Sequence, residues 1–190
     1  MLYVEILEKF DTGDIVLFRD NTFIDKFCDL FVERSYSDGG IIIKNPPNHE
    51  EGLYILMTTT YDKSAGKYSV SIKNFKDVYD NIRYKNIYWR RLICTRDNNF
   101  YSRLYNLYNV LVHNKSNSTI HWIEDQYNAY RYKGDAHYAW CSICLYTYVC
   151  LAVVPIYVDW SLASPDIFTK HGLLDQTLQN VTLNEELQII

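Results

Sequence analysis

Between Ala136 and Val158 the chain carries no Asp, Glu, Lys or Arg. A run of that length reaches the threshold for a transmembrane helix. It leaves two folds open, a membrane span or a helix buried in a protein core. His137, Ser142 and Thr147 interrupt the apolar run. Pro155 would end or kink the helix after roughly 14 residues, about 21 Å of rise against a hydrocarbon core of about 30 Å. The expectation is a core helix, with a small membrane protein anchored over 137–158 as the alternative.

The same stretch contains Trp140-Cys141-Ser142-Ile143-Cys144. A cysteine at the head of an apolar helix is where a thiol enzyme keeps its nucleophile, because the helix N-terminus stabilises thiolate. Cys141 and Cys144 form a C-x-x-C pair, but a second pair is missing and the surroundings are apolar. Core packing is therefore expected over zinc or redox chemistry, with no metal and no cofactor. The five cysteines are odd in number and lack the paired spacing of a disulfide framework. Met1-Leu2-Tyr3-Val4-Glu5 brings acid early, so no secretory signal is expected, and thiols in a reducing compartment follow.

Hydrophobic residues make up 48% and charged residues 22% of the 190 residues. That is enough apolar material for one domain with a sizeable core. A formal net charge of -4 gives no general attraction to nucleic acid or anionic lipid. Trp89-Arg90-Arg91 is too short a basic patch to reverse this, and reads as a charged strand end. The 18 tyrosines, with abundant Asn, Ile and Lys, fit an AT-rich genome. A sticky aromatic surface for protein partners is the other reading.

Short apolar runs predict buried strands at 14–18, 41–43 and 53–57. Residues 68–72 alternate in the two-residue period and suit an edge strand, and 86–93 form a further strand. Helical periodicity is expected at 23–33 and at 100–113, the latter with Leu104, Leu107, Tyr108, Leu111 and Val112 on one face. Residues 1–10 look like a lead-in, 124–135 like a polar connector, and 164–168 like a turn with a short helical or extended piece. Thr182 to Glu185 has the spacing of a capping box for one last helical turn. Strands come first and helices later, which is an α+β order.

Three segments, read in order, raise the signal above a lone cysteine. They are Thr12-Gly13-Asp14-Ile15-Val16-Leu17-Phe18, then Tyr36-Ser37-Asp38-Gly39-Gly40-Ile41-Ile42-Ile43-Lys44-Asn45-Pro46, then Trp140-Cys141-Ser142. This order resembles the circularly permuted branch of the NlpC-type papain-like cysteine hydrolase superfamily (YiiX/YebB-like). The likeness covers roughly residues 10–170, closing on Asp159-Trp160-Ser161-Leu162-Ala163-Ser164-Pro165-Asp166-Ile167-Phe168.

The resemblance implies a permuted papain-like fold, an antiparallel sheet packed by the Cys141 helix, over 1–171 with a tail at 172–190. It implies a Gly-Asp turn at Gly13-Asp14 and a nucleophile at Cys141 beside Ser142. It also implies a His general base on the second strand and a Glu on the third to orient it. Here Asp38 stands where the His belongs, ahead of Gly39-Gly40, and Met57 stands where the Glu is usual. No His lies between Ser35 and Asn48, so slipping the register by one does not restore the base. A carboxylate beside a thiol opposes thiolate formation, and a thioether cannot orient an imidazole. His49, His113, His121, His137 and His171 lie elsewhere and read as surface or capping residues.

The expectation is a catalytically degenerate protein whose pocket keeps Met57, Gly40 and Ser142 around Cys141. It would serve as a binding or structural module, in the cytoplasm or virion of a large DNA virus. Protein partners would be met through the tyrosine-rich surface and the C-terminal tail. The alternative is an active thiol hydrolase or acyltransferase that attacks amide or ester bonds through Cys141.

Overall fold

A computed structural model describes residues 3–20, 36–58, 70–81, 84–113, 136–155, 164–170 and 172–189. Eight strands are present among them: β1 (Ile15–Asp20), β2 (Asp38–Lys44), β3 (Leu53–Thr58), β4 (Val70–Asn74), β5 (Tyr84–Arg90), β6 (Leu92–Ile93), β7 (Thr182–Leu183) and β8 (Leu187–Gln188). The helices are α1 (Tyr3–Lys9), α2 (Phe75–Tyr79), α3 (Asn98–Tyr108), α4 (Ala136–Cys150) and α5 (Leu173–Thr177). One sheet of six strands runs β4-β3-β2-β1-β5-β8, antiparallel at every pairing. The expected α+β class with an antiparallel sheet is what the chain adopts.

The sheet is covered on both faces, which is why its central strands are continuous apolar runs rather than alternations. On the first face Ile15, Leu17, Ile41, Ile43 and Leu56 pack with Leu104 and Leu107 of α3 and with Trp140, Cys144 and Tyr148 of α4. On the second face Val16, Phe18, Ile42, Ile55, Met57 and Trp89 pack with Phe10, Phe75 and Val78. The register fixes this split: Ile15 lies opposite Ile41 and Leu17 opposite Gly39, while Ile41 lies opposite Leu56. A slip of one residue would exchange the two faces.

Gly39 exists for the helix that crosses it. A Cβ there would sit 2.7 Å from Trp140 Cζ3, closer than carbon atoms can pack. Gly39→Ala should therefore displace the Trp140 ring and destabilise the fold by about 1–3 kcal/mol, the usual range for overpacking. A urea midpoint unchanged from wild type would show that α4 does not rest on β2 this way.

From Trp140 to Cys150 α4 is buried or half-buried at every residue, as its uncharged sequence requires. It stops at Cys150, before Pro155. Its end is a left-handed residue, Ala152 (φ 57), with Ala152 N–H donating to Val149 O (3.0 Å) and Val153 N–H to Tyr148 O (3.0 Å). This is a Schellman closure made without the usual glycine. At 15 residues the helix is about 22 Å long. Among the described residues no helix is long and apolar enough to cross a membrane, so the anchored alternative over 137–158 loses its basis there.

Other departures have local causes. The lead-in is the helix α1. The expected strand over 86–93 breaks at Arg91, because Leu92-Ile93 leaves the sheet to pair with β7. The capping box at Thr182 caps nothing: Thr182 lies in β7, and its neighbours continue into β8 rather than a helical turn. The 100–113 helix holds, starting two residues earlier behind an Asp97 cap that accepts from Phe100 N–H, and finishing as a π turn over Asn109–His113. The helix expected at 23–33 and the connector at 124–135 lie outside the described residues.

The tail docks on the same sheet. Arg90, 1% exposed, donates through Nε to Asn184 O (3.0 Å) and through Nη1 to Phe168 O (2.9 Å) and Thr169 O (3.0 Å). Its Nη2 reaches both carboxylate oxygens of Asp175 at 2.9 Å. The supposed basic strand end is thus a buried clamp on the C-terminal segment.

Candidate functional site

Cys141 lies in α4, wholly buried, with Ser142 and Cys144 buried beside it. It is the sixth residue of a helix that already runs from Ala136, so it does not head the helix. The partial positive charge of a helix N-terminus fades within the first turn, and a residue a turn and a half inside gains little from it. Burial, and secondarily the Asp38 charge, push the neighbouring Cys144 thiol well above its ordinary value. The surroundings of Cys144 therefore oppose thiolate rather than favouring it, and Cys141 shares its full burial.

Two of the residues named with it from sequence, Met57 and Gly40, lie on the other sheet face. Asp38 opens β2 opposite Phe18, half-buried, and its Oδ1 accepts the Gly39 N–H at 2.8 Å. Met57 packs in the second-face cluster with Ile55 and Phe75, whereas Cys141 belongs to the first-face cluster. The sheet itself separates them. Gly40 follows the second-face register opposite Val16, and a Cβ there would meet Leu56 O at 2.6 Å. Its smallness serves strand pairing, not a pocket.

Of the histidines, His49 is the one whose side chain is described. Its Nδ1 lies 2.9 Å from Pro47 O and 3.2 Å from Tyr108 Oη, and its ring stands edge-on to Tyr54 at 4.9 Å. It is engaged in the turn after β2. The side chains of His113 and His137, and all of His121 and His171, lie outside the described residues. Among the described residues no cluster of His, Cys, Asp or Glu could hold a metal ion.

Two features have no clear mark in the sequence. The first is the role of Asp14, fully buried at the Gly-Asp turn. Gly13 takes φ 95 and lends its carbonyl to the Tyr148 hydroxyl at 2.7 Å, tying the turn to α4. Asp14 Oδ2 accepts from Asp11 N–H (3.0 Å) and Trp89 Nε1–H (2.8 Å). Its Oδ1 accepts from Leu92 N–H (3.0 Å) and Arg96 Nη2 (3.4 Å).

Burial pushes the Asp14 carboxyl up from the usual 3.8 to about 6, with these donors only partly holding it down. Because the folded value lies above the unfolded one, the folded protein binds the extra proton. The proton-linked part of the stability is fully present below about pH 4 and is lost as pH rises to about 6, a change on the order of 3 kcal/mol, separate from what the hydrogen bonds to the carboxylate contribute. Urea midpoints of wild type and Asp14→Asn across pH 4–7 should show that falling slope in wild type alone. Parallel profiles would refute it.

The second is an open cleft of about 360 Å³ between α3 and the turn after β2, lined in part by Lys44, Pro46, Pro47, Tyr101, Tyr105 and Tyr108. Tyr101 and Tyr105 remain 45% and 52% exposed. Tyrosines at helical spacing i, i+4 and i+7, facing a Pro-Pro turn, were the available signal. The tyrosine count alone could not place it.

No protein-family model matches the chain, and neither does any curated protein.

Proposed function

We propose that the chain is a catalytically degenerate member of the permuted NlpC-type papain-like superfamily, retained as a binding or structural module. The ordered motifs at Gly13-Asp14, Asp38-Gly39-Gly40-Ile41 and Cys141-Ser142 support the ancestry. A helix bearing that cysteine across one face of an antiparallel sheet agrees with it. A large DNA virus is the setting that the composition and the resemblance favour. One observation carries the loss of chemistry: Cys141 is 0% exposed inside α4, on the opposite sheet face from Met57. A nucleophile needs contact with substrate and a base within about 3 Å.

The test is site-resolved alkylation of the native chain by iodoacetamide near neutral pH, read by mass spectrometry. Cys141 should label no faster than Cys144, and both should lag the half-buried Cys94 and Cys150. Rapid, selective labelling of Cys141, or an ester- or amide-cleaving activity abolished by Cys141→Ala, would instead establish the hydrolase.

A further inference from the structure

The C-terminal segment packs into the cluster that holds Cys141. Ile167, Phe168 and Leu174 are buried there with Tyr36, Trp140, Cys141 and Cys144, and Leu178, Val181 and Leu183 pack against it. Two contacts fall on residues that flank the sequence motifs. The Phe168 ring lies 5.2 Å from that of Trp140, the neighbour of Cys141. The Tyr36 hydroxyl, two residues before Asp38, donates to the Glu186 carboxylate, which also accepts the Lys170 N–H. Residues 165–170 and 172–189 therefore join the start of β2 to the first turns of α4.

This cover has little structure of its own. It holds one five-residue helix and two strands of two residues each. Beyond Phe168, only Leu174 and Ile189 are fully buried hydrophobic residues among those described. Polar latches do much of the fastening: Arg90 on Asp175 and Asn184 O, and Tyr36 on Glu186. Burial and the Glu186 carboxylate both raise the Tyr36 phenol, so it keeps its proton and stays the donor in that bond. Segments with few buried apolar contacts are the ones that open locally, ahead of the core.

The closed arrangement also leaves a donor unused. Trp140 is 1% exposed, and its Nε1–H has no hydrogen-bond partner among the described residues. The benzo edge of the indole, Cε3 and Cζ3, faces Gly39, so the Nε1 edge is turned away from β2. A buried orphan donor opposes the state that buries it. Opening would return that N–H to water, or offer it to an acceptor on a ligand.

We infer that the C-terminal segment is a strap that shuts the Cys141 site, and that lifting it uncovers the Trp140 N–H and the Cys141 thiol together. The inference rests on the reading of this region as the site of a binding module, and gives that site a gate.

Native-state labelling of the full chain tests it, with iodoacetamide pulses at low urea read by mass spectrometry and amide exchange followed in parallel. Cys141 should become reactive in the same opening as the amides of Gln179 and Ile189, which bond to Val153 O (2.9 Å) and Ile87 O (2.8 Å). The Ile42 amide, bonded to Asp14 O (2.8 Å), should exchange later. Tyr36→Phe keeps the ring and removes the latch. It should speed strap exchange and Cys141 labelling by about tenfold, as expected for one hydrogen bond to a charged group, and leave Ile42 unchanged. Arg90→Met should act in the same direction.

Cys141 labelling in step with Ile42 would mean that strap and core open as one, and would overturn the inference. So would unaltered labelling in Tyr36→Phe, or a strap that exchanges faster there while Cys141 does not. In each of these cases the module reading stands and the gate falls. A cleaving activity lost in Cys141→Ala removes the module reading instead, and leaves the labelling pattern to decide the strap.

Discussion

Asp14→Ala should destabilise the protein by about 4 kcal/mol, a large part of the 5–15 kcal/mol that holds a typical domain together. The carboxylate collects donors from three separate places in the chain. Asp11 N–H comes from its own turn, Trp89 Nε1–H and Leu92 N–H from either side of the β5–β6 break, and Arg96 from the loop before α3. Alanine leaves those buried donors facing one another across a small void, and each orphaned group costs about 1–3 kcal/mol. Asp14→Asn separates the two contributions. It keeps the volume, but turns one accepting oxygen into a donating NH2 aimed at two donors. It should lose at least half as much stability as alanine in urea or thermal unfolding. An Asn variant as stable as wild type would mean that Asp14 only fills space.

Most of the sheet was readable because its central strands are buried on both faces. Ile15-Val16-Leu17-Phe18 and Ile41-Ile42-Ile43 have no competing helical pattern. That same double burial hides which face each residue takes. Leu53 to Met57 is apolar throughout, so only the pairing of Met57 with Ser71 and of Leu56 with Ile41 sends Met57 away from Cys141. The sequence motif placed the two in one pocket, and strand parity parts them. The start of α4 is displaced for a related reason. The cysteine motif draws the helix N-terminus to Trp140, whereas α4 already runs from Ala136. β7 and β8 are two residues each and have no pattern of their own. β7 exists because β6 pairs with it and β8 because the edge of β5 does, with a distant arginine clamping the segment, and local propensity cannot register that.

Arg90→Met should release the C-terminal segment, at a cost of about 3–5 kcal/mol. The guanidinium is spent on the carbonyls of Phe168 and Thr169, just before that segment, and within it on Asn184 O and the Asp175 carboxylate. Methionine matches much of its length but none of its donors, so three carbonyls and a partly buried carboxylate lose their partner together. Asp175 keeps 26% of its side chain exposed, and water can serve it once freed. Asp175→Asn should therefore cost only about 1 kcal/mol, and adding it to Arg90→Met should recover little. Most of the clamp's strength lies in its bonds to the carbonyls.

The loss should also be local before it is global. β8 pairs with β5 only at Tyr88–Gln188 and Trp89–Leu187, with one further bond from Ile189 N–H to Ile87 O at 2.8 Å. Together with the β6–β7 pairing and the Gln179 N–H bond to Val153 O (2.9 Å), these few backbone contacts do not by themselves offset the entropy of ordering the segment, at roughly 1–2 kcal/mol per residue. Amide hydrogen exchange in Arg90→Met should therefore rise across 173–189 while β1, β2 and β3 stay protected. Uniform exchange across the chain would mean that the clamp belongs to the cooperative core. Unchanged protection at Ile189 would mean that the buried Ile189 side chain (2% exposed) anchors the tail without it.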